Sequence, residues 1–203
     1  MTAKSGSLGK VRPTNVLVVG VGGQGVLLAS EVLAEVALLS GLDVKKSEVH
    51  GMAQRGGSVV SHVRFGRRVH SPLIELGEAD FLVSFEKLET LRYLGHLHPA
   101  SWVLINDQEV LPLPVSSGKA RYPGSVEKTV KKAGLQVKVI DGPELAERAG
   151  NRRAVNSVVL GVLSQLLSFP EEAWSAALQG HVPPRHLTAN MSAFRLGRRR
   201  RVG

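Results

Sequence analysis

The sequence of 203 residues contains no cysteine. A chain without thiols forms no disulfide, offers no thiolate nucleophile, and supplies no cysteine ligand to zinc or to an iron–sulfur cluster. If the protein takes part in electron transfer, its iron–sulfur centre must therefore be held by another molecule.

Aromatic residues are also scarce, at 4% of the chain, and no apolar run is long enough to cross a bilayer. Residues 1–14 carry charge but no apolar stretch, unlike a secretory signal. We expect them to form a flexible leader to a cytoplasmic protein. No pair of histidines has a convincing metal-ligand spacing, and no nucleophile–base motif is present, so we predict neither a metal site nor a catalytic residue of its own.

Acidic residues are outnumbered, 17 against 26 lysines and arginines, which gives a formal charge of +9. Such a surface favours acidic partners. Part of the excess lies in residues 198–203, a basic tail that we interpret as solvated. Binding of nucleic acid through this tail is an alternative, but aromatic interleaving and a known binding motif are missing.

Short β-branched runs alternate with amphipathic segments along the chain. This alternation predicts an α/β fold with three layers, Rossmann-like, with a mainly parallel sheet and a C-terminal helical cap from about residue 143. We expect a single domain over 15–197. Residues 111–124, rich in proline, are predicted to form a loop, and Ser125 to cap the helix that follows.

A glycine-rich turn follows the first predicted strand, 15–19, and opens a helix predicted from Gly25 to Leu39. Gly20, Gly22 and Gly25 fit the pattern G-x-G-x-x-G, with Gly23 and Gln24 between them. In this context the backbone can approach a phosphate, and the start of the helix favours an anion. The glycines are equally compatible with close packing of strand and helix, so both interpretations stay open.

A dinucleotide-binding protein usually has an acidic residue about 20 positions beyond such a turn, where it binds the ribose. Here Lys45 and Lys46 occupy that region, and Glu48 lies slightly late. A nicotinamide-dependent dehydrogenase is therefore disfavoured, although a stand-alone nucleotide-binding protein remains the alternative function.

A second polar loop lies between the strands predicted at 44–49 and 58–65. Arg55, beside Gly56 and Gly57, is suited to bind a phosphate or carboxylate, and Gln54 and Ser58 could hydrogen-bond the same group. In a parallel sheet this loop and the glycine turn can lie at the same edge. Alternatively, the arginine pairs with an acidic residue of a partner subunit.

The segments GVGGQGVLLASEVLAEVALLSG and VKKSEVHGMAQRGGSVVSHVRFG resemble the gamma-type domain of pyruvate and 2-oxoacid:ferredoxin oxidoreductases, and within that family the indolepyruvate type. Later segments agree, namely LVSFEKLETLR, AGNRRAVNSVVLG and VPPRHLTANMSAF. The resemblance extends over nearly all of residues 15–197.

This resemblance implies a small subunit in the CoA-dependent oxidative decarboxylation of a 2-oxoacid, which yields acyl-CoA, carbon dioxide and reduced ferredoxin. It implies that thiamine diphosphate and the iron–sulfur clusters belong to a large partner subunit, and that ferredoxin is reached through the complex. Coenzyme A is possible at the glycine turn and Arg55, and a homodimer is also left open.

Two further polar positions are notable. Asn151 is predicted to cap an apolar helix near 152–167, and Asn156, one turn into it, either braces the glycine-rich loops or contacts the large subunit. Glu86 follows a predicted buried strand, where a carboxylate at a helix start is the simpler interpretation. With Glu89, Lys87 and Arg92 it is expected to form a surface salt network.

Overall fold

A computed structural model describes residues 12–50 and 56–200, and the side chain of His50 is not described. Its strands are β1 Thr14–Val21, β2 Asp43–His50, β3 Ser58–Gly66, β4 Ala79–Ser84, β5 Leu97–Asn106 and β6 Gln136–Ile140. Its helices are α1 Val26–Leu39, α2 Lys87–Arg92, α3 Leu113–Ser116, α4 Val126–Lys132, α5 Gly142–Arg148, α6 Val155–Leu163, α7 Glu171–His181 and α8 Pro184–Arg198.

The strands form one sheet in the order β2-β3-β1-β4-β5-β6. β1, β4, β5 and β6 pair in parallel, whereas β3 is antiparallel to both of its neighbours. Since β2 is antiparallel to β3, it runs in the same direction as β1. The predicted mainly parallel α/β sheet is confirmed, with β3 as the one reversed strand of the described sheet.

Helices cover both faces of the sheet because the central strand alternates its side chains between two apolar layers. Val16 and Val18 face a core built with α1 and the C-terminal helices. Leu17 and Val19 face a second core, which includes Val126 of α4. All four side chains are at most 1% exposed. The three-layer prediction therefore holds.

Two glycines allow the C-terminal helices α6 and α8 to pack in direct backbone contact. A Cβ atom on Gly161 of α6 would lie 2.1 Å from the carbonyl oxygen of Phe194, and one on Gly197 of α8 would lie 2.0 Å from that of Val158. Such distances are far below any van der Waals contact, so the backbones of α6 and α8 touch directly. α6 and α8 thus form one closely packed pair within the helical cap.

Three local predictions were wrong. The predicted loop 111–124 contains α3. Ser125 precedes α4, but it adopts a left-handed conformation with φ 60°, and its side chain makes no capping hydrogen bond. Asn151 does not cap the long apolar helix, because α6 starts at Val155 with Ala154 at the N-cap position. The Asn151 side chain accepts instead from the backbone N–H of Arg153 at 3.0 Å.

Candidate functional site at the carboxyl edge of the sheet

Both glycine-rich segments lie at the edge of the sheet where the parallel strands end. Val21, the last residue of β1, pairs with Ser58, the first residue of β3. The glycine turn follows β1 at this edge, where β2 also ends and β3 begins. The described candidates found together here are Gly20, Gly22, Gly23, Gln24, Gly25, Gly56, Gly57 and Ser58.

The two loops are joined by backbone hydrogen bonds. The N–H of Gly22 donates to the carbonyl of Gly57 at 2.8 Å, and the N–H of Gly56 donates to the carbonyl of Gly22 at 3.4 Å. The expected meeting of the loops thus occurs, but for a different reason from the one predicted. It arises because β2 and β3 form an antiparallel hairpin beside β1, not because these strands are parallel.

Gln54 and Arg55 lie outside the described residues, so their roles stay predictions. Ser58, at the other end of this loop, donates a hydrogen bond to the Glu89 carboxylate at 2.5 Å. Glu89 is only 4% exposed, and its second oxygen pairs with Arg92 at 2.9 Å. The salt network expected at the surface around Glu89 is therefore partly buried. Through Ser58 it holds the start of β3 in place.

The side chain of Gln24 points into the protein and braces the turn. Its Oε1 accepts from the N–H of Val21 at 2.8 Å, and its Nε2 donates to the carbonyl of Phe85 at 3.1 Å. Nε2 also lies 3.3 Å from Oε1 of Gln108, just beyond β5. Gln24 therefore links the ends of three neighbouring strands, and its amide is already hydrogen-bonded within the chain.

Gly25 is the N-cap of α1 and has a left-handed conformation, φ 76° and ψ 29°. A Cβ atom there would lie 2.6 Å from Nδ2 of Asn156. Asn156 donates from this nitrogen to the carbonyls of Gly25 at 2.7 Å and Gln24 at 3.1 Å. The bracing predicted for Asn156 is thus observed, and it requires glycine at position 25.

The open hydrogen-bond donors of the turn lie at the start of α1. The first N–H to bond back within the helix is that of Ala29, to Gly25. Residues 26–28 therefore present backbone N–H groups without an intrahelical acceptor, together with the positive end of the helix dipole. Gly23, beside them, is exposed, and space around its Cα is open.

Glu86 was interpreted as a simple helix-start carboxylate, and it does cap α2 by accepting from the N–H of Glu89 at 2.9 Å. It is also 1% exposed and accepts from Val110 N–H at 3.1 Å and from the Tyr122 hydroxyl at 2.5 Å. Burial, followed by this hydrogen bond, raises the pKa of Tyr122. The contacts between Glu86, Val110 and Tyr122 had only one sign in the sequence, namely a carboxylate shortly after a buried strand.

The acidic residue expected to bind the ribose of a dinucleotide does not lie beside the glycine turn. β3 separates β2 from β1, so Glu48 does not lie on the strand next to the glycine turn. Its carboxylate pairs with Lys46 at 2.7 Å, and Lys46 also contacts Glu31. Burial disfavours the charge of Lys46, but these hydrogen bonds outweigh it and raise its pKa. Nicotinamide-type ribose recognition is therefore not supported.

Within residues 12–50 and 56–200, no three histidine, aspartate or glutamate side chains converge as a metal site would require. Among the helices of that same part of the chain, none combines the length and the apolar character needed to span a membrane.

Residues 15–200 match the model of the pyruvate ferredoxin/flavodoxin oxidoreductase family. The chain belongs to this family. It is 41% identical over 188 residues to the indolepyruvate oxidoreductase subunit IorB of Thermococcus kodakarensis, which covers 90% of this chain and 93% of the relative. The corresponding subunit of Archaeoglobus fulgidus is 38% identical, with 90% and 92% covered. The chain is thus homologous to small subunits of an oxidoreductase complex.

Solved structures agree on the fold. The gamma subunit of a keto/oxoacid ferredoxin oxidoreductase from Geobacter sulfurreducens has a TM-score of 0.67 at 23% identity, with 91% of this chain and 95% of that chain covered. A 2-oxoglutarate:ferredoxin oxidoreductase from Magnetococcus marinus has a TM-score of 0.70 at 20% identity. The match covers 92% of this chain and 30% of that longer one.

Proposed function

We propose that this chain is the small subunit of an indolepyruvate-type 2-oxoacid:ferredoxin oxidoreductase. The observation that carries the proposal is the 41% identity to a curated indolepyruvate oxidoreductase subunit over 90% of the chain. A large partner subunit binds thiamine diphosphate, which supplies the decarboxylation chemistry, and the clusters that pass electrons to ferredoxin. The lack of any cysteine in this chain agrees with that division.

The contribution of this chain is to bind coenzyme A at the carboxyl edge of the sheet. Three features support this role. The start of α1 offers unpaired N–H groups, Gly23 leaves the approach open, and the joined β2–β3 loop carries Arg55. Backbone donors, a helix dipole and a guanidinium together form the kind of site that binds phosphates.

The proposed function is tested by co-expressing the chain with a tagged large subunit and measuring viologen reduction by indolepyruvate and coenzyme A. Activity should require both chains, because this chain has no cysteine ligands for a cluster. An isolated chain that oxidised a 2-oxoacid unaided, or that bound NAD tightly, would overturn the assignment in favour of a stand-alone enzyme or nucleotide-binding protein.

The coenzyme A role is tested with Arg55→Ala in the assembled complex. Losing a charge-assisted hydrogen bond of about 1.5–3 kcal/mol should weaken coenzyme A binding roughly 10- to 100-fold. The KM for the 2-oxoacid should not change. Arg68→Ala is the matched control, because Arg68 is exposed and follows β3 at the opposite edge of the sheet. Equal affinities of wild type and Arg55→Ala in calorimetry would remove coenzyme A from this edge.

A further inference from the structure

Residues 111–121 form an excursion from the carboxyl edge of the sheet, here called the arm. Both of its ends are fastened to one buried carboxylate. Oxygen Oε1 of Glu86 accepts from the N–H of Val110, just before the arm, and from the hydroxyl of Tyr122, just after it. The Tyr122 oxygen also accepts from the N–H of Leu88 at 3.0 Å. The arm is therefore held in place at its base.

Backbone hydrogen bonds within the arm stabilise its helical turn. The N–H of Ser117 donates to the carbonyl of Leu113 at 2.9 Å, and that of Ala120 donates to the carbonyl of Pro114 at 2.9 Å. Yet α3, at its centre, buries none of its residues. Leu113 is 79% exposed and Leu111 is 53% exposed. Two exposed leucines on a pre-formed helical turn offer apolar area that contact with another protein would remove from water.

Uncompensated positive charge borders these leucines. Lys119 and Arg121 are exposed, and neither forms an ion pair with any residue of the two described ranges. Elsewhere the surface lysines are often neutralised, as Lys131 is by Glu127 in α4. An interface with these properties calls for a partner that presents an apolar pocket bordered by carboxylates.

The arm adjoins the candidate coenzyme A site. Gln108, which leads into the arm, lies within hydrogen-bond distance of the Gln24 side chain. Two further exposed apolar residues lie at the same edge, Leu27 in the first turn of α1 and Val49 near the end of β2. A protein seated on the arm would therefore lie at the same edge as the glycine turn.

We infer that the arm is the docking surface for the large subunit of the oxidoreductase, with Leu111 and Leu113 as apolar anchors and Lys119 and Arg121 as the charged border. This inference rests on the proposed function, since it takes the partner from there. It adds the surface by which this chain contacts that partner, at the same edge of the sheet as the glycine turn.

The test measures the affinity of the full chain for the purified large subunit by biolayer interferometry. Leu113→Asp should weaken the complex at least 10-fold, because truncated or charged anchors at an interface centre are the costly ones. Leu76→Asp is the matched control, being 73% exposed before β4 at the opposite edge. It should bind within twofold of wild type. Circular dichroism establishes that both variants fold.

The charged border is tested separately. The double variant Lys119→Glu and Arg121→Glu should bind at least 10-fold more weakly, with a flatter salt dependence than wild type. Wild-type affinity in this variant and in Leu113→Asp would overturn the arm as the docking surface while leaving the proposed function intact. The same holds if Leu113→Asp dissolves a homodimer without affecting the large subunit. Failure of the wild-type chain to bind the large subunit would overturn the proposed function itself, and this inference with it.

Discussion

The contact between Gly25 and Asn156 predicts a strong coupling between two substitutions. Gly25 needs a left-handed conformation, and Asn156 occupies the space in which its Cβ would lie. Gly25→Ala therefore has two costs, backbone strain and displacement of the Asn156 amide. Asn156→Ala has only the second, since it removes the same two hydrogen bonds to the turn.

The magnitudes follow from these contacts. A left-handed conformation costs an L-residue about 1–2 kcal/mol, and two net hydrogen bonds are worth about 2 kcal/mol. Gly25→Ala should thus cost about 3–4 kcal/mol and Asn156→Ala about 2 kcal/mol. In the double variant the hydrogen bonds are lost only once, so its cost should also be about 3–4 kcal/mol, a coupling of about 2 kcal/mol.

The cycle is measured by denaturant unfolding of the four proteins, followed by the fluorescence of the buried Trp174. The slope against denaturant should be the same in all four, so that midpoints report stability. If the two single effects add in the double variant within about 0.5 kcal/mol, Asn156 does not hold the glycine turn in the way described.

Three other predictions concern the frame around the site. Gly161→Ala should cost at least about 3 kcal/mol, because α6 and α8 touch through their backbones. Gly180→Ala in α7, where the space around the glycine is open, should instead stabilise the protein by up to about 1 kcal/mol. Chemical denaturation compares the two variants, and similar effects on stability would contradict the packing argument. Burial, with smaller contributions from neighbouring charges, lowers the pKa of His62, so the unfolded chain takes up a proton near pH 6.5 that the folded chain resists. Stability should therefore fall as pH drops from about 7 toward the lowered pKa, and His62→Asn should reduce this slope; an unchanged slope in unfolding midpoints would refute it. Ser58→Ala should cost about 1.5–3 kcal/mol by removing the donor to the buried Glu89 carboxylate. In a Glu89→Ala background, which has no acceptor for Ser58, an equal cost in the same unfolding assay would show that this hydrogen bond is not the cause.

The sequence was sufficient to place β1 and the glycine turn, because a short apolar, β-branched run that stops at a glycine is a local signal. The reversal of β3 was missed, although the sequence contained evidence for it. His50 and Ser58 are separated by the short segment 51–57. A parallel crossover needs a dozen or more residues, so only a hairpin fits that segment.

The side-chain contacts of the site could not be predicted in the same way. Gln24 could have pointed at a ligand, and its inward orientation depends on Phe85 and Gln108, which are distant in sequence. The position of Glu86 predicted a helix cap, but its hydrogen bond with Tyr122 joins residues on opposite sides of the arm in the sequence. Such contacts depend on how loops from different strands meet, and local patterns contain no information about that.

The reversed strand has two consequences that belong together. It brings the start of β3 against the glycine turn, where the N–H of Gly22 donates to the carbonyl of Gly57. It also moves β2 one place away from β1, so that no acidic residue at its end can reach a ribose beside the turn. The same topology therefore disfavours a nicotinamide dinucleotide at this edge, whereas the exposed start of α1 agrees with the proposed binding of coenzyme A. The chain has no cysteine to bind an iron–sulfur cluster, so under the proposed function electron transfer takes place on the large subunit, for which the arm is the proposed docking surface.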